Sequence, residues 1–80
     1  MALVTRFDHV ETNRARRHPT TVRCSWQVLP GPDSRDLLQL DTHGSSERAI
    51  HDKVSQTIQI DRQGASILVG IIKQAFPDLA

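Results

Sequence analysis

The fold is decided by the stretch from Val54 to Phe76, VSQTIQIDRQGASILVGIIKQAF. Residues 54–60 place apolar side chains mainly on one side and hydroxyls and amides on the other, which predicts a strand. Asp61 fits the N-cap of a helix, because its carboxylate can accept hydrogen bonds from the free amides of the first turn. Apolar residues at helical spacing follow. The stretch therefore predicts a strand that runs directly into an apolar helix of about Arg62–Phe76, which Pro77 ends.

Three more strands are predicted upstream. Thr20–Leu29 alternates most cleanly, Pro30–Ser34 is a strong turn signal, and Leu37–Asp41 follows it. An irregular edge strand is expected within Leu3–Val10. The order predicts an α+β fold, in which a curved antiparallel sheet of about four strands is covered on its inner face by one C-terminal helix. The side chains predicted to face inward are Phe7, Val22, Cys24, Trp26, Val28, Leu38, Leu40, Val54, Ile58, Ile60, Ala65, Leu68, Ile72, Ala75 and Phe76.

Chain length predicts one small domain over residues 1–80, with an edge strand and basic loop at 1–19 and the sheet and helix at 20–77. A monomer of this size buries only about 60–65% of its unfolded surface. The one cysteine, Cys24, leaves no internal disulfide to compensate, so oligomerisation is expected. The sequence has neither an apolar run long enough for a membrane span nor the layout of a signal peptide, and a cytoplasmic location is expected.

The helix is apolar over more of its circumference than one sheet can cover. Ile67, Val69 and Ile71 lie off the stripe that is predicted to face the sheet, and Gly70 would let another backbone approach closely. A small monomer should not leave three β-branched residues of one helix in water. We therefore expect a homodimer interface at Ile67, Val69, Gly70 and Ile71.

The formal net charge is only +1, but the charge is unevenly distributed. Residues 1–35 carry six arginines against three acidic residues. Arg14, Arg16 and Arg17 form a basic cluster in a predicted loop, and such a cluster can follow a phosphate backbone. Amides and hydroxyls on the outer sheet face can form neutral hydrogen bonds with an unpaired strand of nucleic acid. The residues expected to contact nucleic acid are Arg14, Arg16, Arg17, Arg23, Gln39, Arg48, Lys53, Thr57 and Gln59.

No motif predicts catalysis. Four histidines and several aspartates are present, but none has the spacing that is typical of metal ligands. No phosphate-binding loop or dinucleotide fingerprint occurs. The expectation is a protein that is not an enzyme and has no metal, cofactor or catalytic site.

The second half of the chain resembles the positive-cofactor-four family of transcriptional coactivators and its bacterial relatives. The resemblance lies in the strand at Leu38–Leu40, the long polar loop up to Lys53, and the strand Val54–Ile60 leading into the helix, and it extends over about Thr20–Pro77. It implies a curved antiparallel sheet of four strands followed by one helix. It also implies that two copies pair through their helices and that single-stranded nucleic acid lies across the sheets.

Two hypotheses follow. The first is a homodimeric module that binds single-stranded DNA or RNA and has a regulatory role in transcription or DNA metabolism. The alternative is a small bacterial or phage adaptor that binds another protein through its helix face or its open sheet edge.

Overall fold

The computed structural model describes residues 1–11, 14–44 and 53–79. Four strands and one helix occur in this part of the chain, and they confirm the predicted α+β class with a C-terminal helix. In chain order the elements are β1 (Ala2–Val4), β2 (Cys24–Leu29), a short 3-10 turn (Pro32–Ser34), β3 (Leu37–His43), β4 (Val54–Ile60) and α1 (Arg62–Ala75).

The strands form one mixed sheet in the order β1-β4-β3-β2. β3 is antiparallel to both β2 and β4, as expected, with Trp26 opposite Leu40 and Leu40 opposite Ile58. β1 runs parallel to β4, so the expectation of a wholly antiparallel sheet is wrong at this edge. A parallel pair needs a long connection, and the chain between β1 and β4, which includes β2 and β3, supplies it.

The predicted bounds are accurate for β4 and for the start of α1, and less so elsewhere. β1 is three residues long, whereas the expectation extended to Val10, and β2 begins at Cys24, whereas the expectation began at Thr20. β3 continues to His43, and α1 ends at Ala75. Where β3 leaves the register of β4, between Thr42 and His43, the ladder contains an irregularity of the β-bulge kind.

The turn between β2 and β3 is tight and depends on Gly31. A Cβ atom at this position would lie 2.3 Å from the backbone oxygen of Arg35. Asp33 and Ser34 both have positive φ, at 55° and 63°, a region in which aspartate is tolerated better than most residues. Asp36 accepts a hydrogen bond from the Gly31 amide at 3.2 Å and closes the turn.

Asp61 caps α1 as predicted, accepting a hydrogen bond from the Gly64 amide at 2.8 Å. Gly64 is buried, and a Cβ there would lie 3.1 Å from Ile60 Cγ2 and 3.3 Å from the Val4 oxygen. The first turn of the helix therefore packs closely on the ends of β1 and β4. This contact fixes where the helix leaves the sheet.

The core of the single chain is much smaller than predicted. Among the described hydrophobic residues only Ile60, 2% exposed, is fully buried, and Leu38, Leu40 and Leu68 are half-buried. Several side chains that were expected to face a core are exposed, because one 14-residue helix covers only part of the apolar sheet face. They are Val22, Cys24, Trp26, Val28, Val54, Ile58, Ile72, Ala75 and Phe76.

Candidate functional site

The polar face of the sheet is built from two rows of side chains that cross the strands. In one row Ser25 lies opposite Asp41, and Asp41 lies opposite Thr57. In the next row Gln27, Gln39 and Gln59 are aligned in the same way. The rows form because successive side chains of a strand point to opposite faces, so the polar residues of all three strands share one face.

Asp41 is the centre of this face. Its carboxylate accepts a hydrogen bond from the Thr57 hydroxyl at 2.5 Å and from the Gln39 amide at 3.1 Å and 3.3 Å to its two oxygens. The Gln59 amide in turn donates to the side-chain oxygen of Gln39 at 2.9 Å. Asp41 is 7% exposed, so the donors of the two rows compensate a nearly buried negative charge. We call Gln39, Asp41, Thr57 and Gln59 the carboxylate network.

The network shifts the ionisation of its central group. The Thr57 hydroxyl, followed by the Gln39 amide, lowers the pKa of Asp41 below its ordinary value of 3.8. Burial acts in the opposite direction, and the charge of His43 adds a smaller lowering effect. Both donors bind the charged form better than the protonated one, so the carboxylate stays charged at a lower pH than an ordinary aspartate does.

A serine and a histidine meet beside the network. Ser25 Oγ and His43 Nε2 are 2.9 Å apart, and His43 is 7% exposed. A hydrolytic triad would need a serine that a substrate can reach and an aspartate that orients the histidine. Here Ser25 is half-buried, and the described hydrogen bonds of Asp41 come from Thr57 and Gln39. Ser25 and His43 thus extend the polar face beside Asp41 and link β2 to β3.

The structure brings together only part of the predicted nucleic-acid surface. Gln39, Thr57 and Gln59 meet in the carboxylate network, where their donors serve Asp41 and one another. Within the described ranges, no hydrogen bond or ion pair joins Arg16, Arg17 or Lys53 to that network, and all three side chains are exposed.

The other three arginines predicted to contact nucleic acid are in different parts of the chain. Arg14 is exposed in the segment before β2, and the backbone oxygen of Arg23 accepts the His43 amide at 3.0 Å, which extends the β2–β3 ladder. Arg48 lies outside the described residues. The sequence analysis named Asp41 only as the end of a strand and did not single it out. The pattern that could have identified it is a carboxylate on a strand whose neighbours at two-residue spacing carry amides and hydroxyls.

The opposite face of the sheet is apolar and largely open. Trp26, the only tryptophan, is 70% exposed, and its strand neighbour Val28 is 53% exposed. Ile58, on the same face of β4, is 39% exposed. An aromatic ring and β-branched side chains are thus presented to solvent side by side.

The four helix residues predicted to form a dimer interface do not lie on one side of α1. Ile67 and Ile71 line a groove of about 780 Å³ whose other wall is the segment Phe7–Val10 of the same chain. Val69 lines a different cleft, shared with Val28 and other residues of the sheet. Apart from the adjacent backbone of α1, none of the described residues comes within 4 Å of the position where a Cβ of Gly70 would stand. The face at Ile67 and Ile71 is therefore already partly covered by the chain itself.

No group of three or more histidine, cysteine, aspartate or glutamate side chains in 1–11, 14–44 and 53–79 is placed to hold a metal ion. In the same part of the chain, no helix has the length and apolar character needed to cross a membrane.

Comparison with protein-family models, with curated proteins and with solved structures finds no match. The resemblance to the positive-cofactor-four family accordingly stays a prediction. The geometry of the chain itself is what supports a function.

Proposed function

We propose that the protein is a non-enzymatic binding subunit that works as a homodimer and acts through protein–protein contacts. The main observation in support of this proposal is the large exposed surface area of the single chain. It exposes 7296 Å², whereas a compact folded chain of 9.0 kDa exposes about 4,900 Å². The excess is about 2,400 Å² over the whole chain, and the exposed apolar side chains of the sheet and helix contribute to it. A standard interface needs roughly 800 Å² per partner.

The chemistry of the exposed surface agrees with its size. Large hydrophobic side chains are exposed on the sheet face and along the helix, whereas monomeric proteins rarely expose contiguous apolar patches beyond a few hundred Å². The radius of gyration is 15.0 Å, against about 11.6 Å for a compact chain of 80 residues. The exposed large hydrophobic residues of the sheet and helix are Leu3, Trp26, Val28, Val54, Ile58, Ile67, Val69, Ile71 and Ile72.

Sedimentation velocity across a dilution series tests this proposal. We expect a dimer at tens of micromolar, because the exposed apolar side chains of the sheet and helix are costly to leave in water. A chain that sediments as a compact monomer throughout the series would contradict the proposal. The matched control for the method is the same series in moderate urea, where a dimer held by apolar contacts should dissociate.

A second candidate function is favoured by one observation. Arg16, Arg17 and Lys53 are exposed cations, and Trp26 offers an exposed ring on which a base could stack. A single strand of nucleic acid bound there would contact the segment before β2 and not the carboxylate network, whose centre is an anion. A nucleic-acid site of this kind would not include Gln39, Thr57 or Gln59, which the sequence analysis had predicted as contacts.

Fluorescence anisotropy with a labelled strand of about 20 nucleotides tests the second candidate at low and at moderate salt. Binding that weakens steeply with salt, and weakens again in Arg16→Ala/Arg17→Ala, would support it. Gln39→Ala is the matched control and should bind as the wild type does. If the wild type does not bind at low salt, where phosphate contacts are strongest, the nucleic-acid hypothesis fails and the protein-binding proposal is unaffected.

A further inference from the structure

Within the described part of the chain, the outer edge of β2 has no neighbouring strand. β2 pairs with β3 on one side and is the last strand in the order β1-β4-β3-β2. The other end of the sheet is closed by β1, which is only three residues long. Very short edge strands are one way in which proteins prevent edge-to-edge association. β2, at six residues, lacks that protection.

The hydrogen-bond pattern shows which backbone groups point outward. In an antiparallel pair, every second residue bonds to the neighbouring strand. The His43 amide donates to the Arg23 oxygen, so the odd-numbered residues of β2 face β3. Cys24, Trp26 and Val28 therefore direct their N–H and C=O groups to the free edge. Among the described residues, no other strand pairs with them.

The side chains of these three residues do not prevent another strand from pairing with the edge of β2. β2 reads CSWQVL and contains no charge and no proline, the two kinds of residue that most often protect an edge. Cys24 and Trp26 are exposed, and Val28 is 53% exposed. Among the described residues, six backbone groups that no strand pairs with thus adjoin exposed apolar side chains. A strand added at this edge would bond to the backbone groups and cover the flanks of those side chains.

We infer that β2 pairs antiparallel with β2 of a second copy about a two-fold axis at Trp26, giving one continuous eight-stranded sheet. This inference rests on the proposed homodimer and specifies which strand forms its interface. In that register the Trp26 rings of the two copies are neighbours, and Cys24 of each copy lies opposite Val28 of the other. On the opposite face, Ser25 lies opposite Gln27.

The strand is complementary to itself in each of these positions. Apolar side chains meet apolar ones on one face, and a hydroxyl meets an amide on the other, so no like charges face each other. Two aromatic rings side by side add to the energy of the contact. A two-fold axis requires this self-complementarity, because the same patch serves both partners. The excess exposed surface of the single chain is also large enough to accommodate the interface.

Disulfide trapping tests the register. Directly opposed residues of a hydrogen-bonded antiparallel pair have Cα atoms about 5.5 Å apart, which suits a disulfide. Val28→Cys, with Cys24 retained, should give a covalent dimer on mild oxidation. Gln27→Cys is the matched control, because residue 27 points to the other face, and it should cross-link no more than the wild type. Equal cross-linking of the two variants would overturn the inference.

Two charge variants separate this inference from the homodimer proposal. Trp26→Lys protects the edge, and since residue 26 is 70% exposed, the fold should be retained, as circular dichroism would show. We expect its dimer dissociation constant to rise at least about tenfold, whereas that of Ile71→Glu should stay near the wild-type value. If Ile71→Glu dissociates a wild-type dimer and Trp26→Lys does not, the edge inference fails and the homodimer proposal stands. A monomeric wild type would overturn both.

The sole tryptophan gives a readout that needs no substitution. Trp26 emission should shift to the red on dilution as the ring becomes exposed in the monomer, with the same midpoint as sedimentation. Emission that does not change while the dimer dissociates would place the interface away from β2, which contradicts the inference even if Trp26→Lys fails to fold.

Discussion

The Thr57 hydroxyl donates to the Asp41 carboxylate across the β3–β4 ladder, at 2.5 Å. This contact places a negative charge at the centre of the polar face and engages the donors around it. A phosphate backbone approaching the face would meet that charge and amides that are already bonded. The carboxylate network is therefore better suited to holding β3 and β4 in register than to binding an anion.

The Thr57 contact predicts how stability changes in acid. The native pKa of Asp41 lies below its ordinary value of 3.8, so the charged form stabilises the native state. This contribution is fully present above the ordinary value and is lost as the pH falls through the native pKa. We expect Thr57→Val to be less stable than the wild type at neutral pH and to lose less stability on acidification. Urea unfolding at about pH 6 and about pH 3 measures both effects.

Ser55→Ala is the control for that experiment, since Ser55 is an exposed hydroxyl on the same strand. Its acid dependence should match that of the wild type. Should Thr57→Val keep the full wild-type loss in acid, the pKa of Asp41 is not governed by Thr57.

Ile60 is the side chain on which the small core depends. At 2% exposed it ends β4 and packs under Gly64 at the start of the helix. Ile60→Ala should lower the free energy of unfolding by about 3 kcal/mol, a large part of the roughly 4–12 kcal/mol expected for 80 residues. Val10→Ala, 69% exposed, should change it by less than about 0.5 kcal/mol. Similar losses in the two variants would mean that Ile60 is not the centre of the core.

Gly70 and Gly31 should respond to alanine in opposite directions. Gly70 lies within α1, and a Cβ there meets nothing within 4 Å, so Gly70→Ala should stabilise by up to about 1 kcal/mol. Gly31→Ala should destabilise, because its Cβ would lie 2.3 Å from the Arg35 oxygen. Thermal unfolding measures both. A destabilised Gly70→Ala dimer would indicate that a second backbone approaches this position, as the helix-pairing prediction requires.

The parts of the fold that the sequence predicted well are those decided by neighbours in the chain. β4 depends on alternation over seven residues, and the start of α1 depends on Asp61 reaching an amide three positions ahead. Both signals are local, and both elements were confirmed. β1 pairs with a strand more than fifty residues away, and neither its parallel direction nor its short length follows from its own residues.

Burial was the least predictable property for a related reason. Alternation in β2 correctly places Trp26 and Val28 on the apolar face, but a period of two cannot say whether anything covers that face. One helix leaves both residues more than half exposed. The sequence analysis likewise grouped Ile67 with Val69 because both lie off the stripe that was predicted to face the sheet. At 100° per residue, however, the two side chains point to nearly opposite sides of α1. The position of Phe7–Val10 beside Ile67 depends on tertiary packing alone.

Asp61 connects β4 to α1 and caps the helix, so its removal should lower the stability of the protein. Asp61→Ala deletes the acceptor of the Gly64 amide and should cost about 1 kcal/mol in the free energy of unfolding. Asp61→Asn should retain most of the stability, because an amide oxygen also accepts this hydrogen bond. Asp78→Ala, which removes an exposed carboxylate beyond the helix, is the control for charge. If Asp61→Asn loses as much as Asp61→Ala, the carboxylate acts through its charge at the helix N-terminus and not through capping.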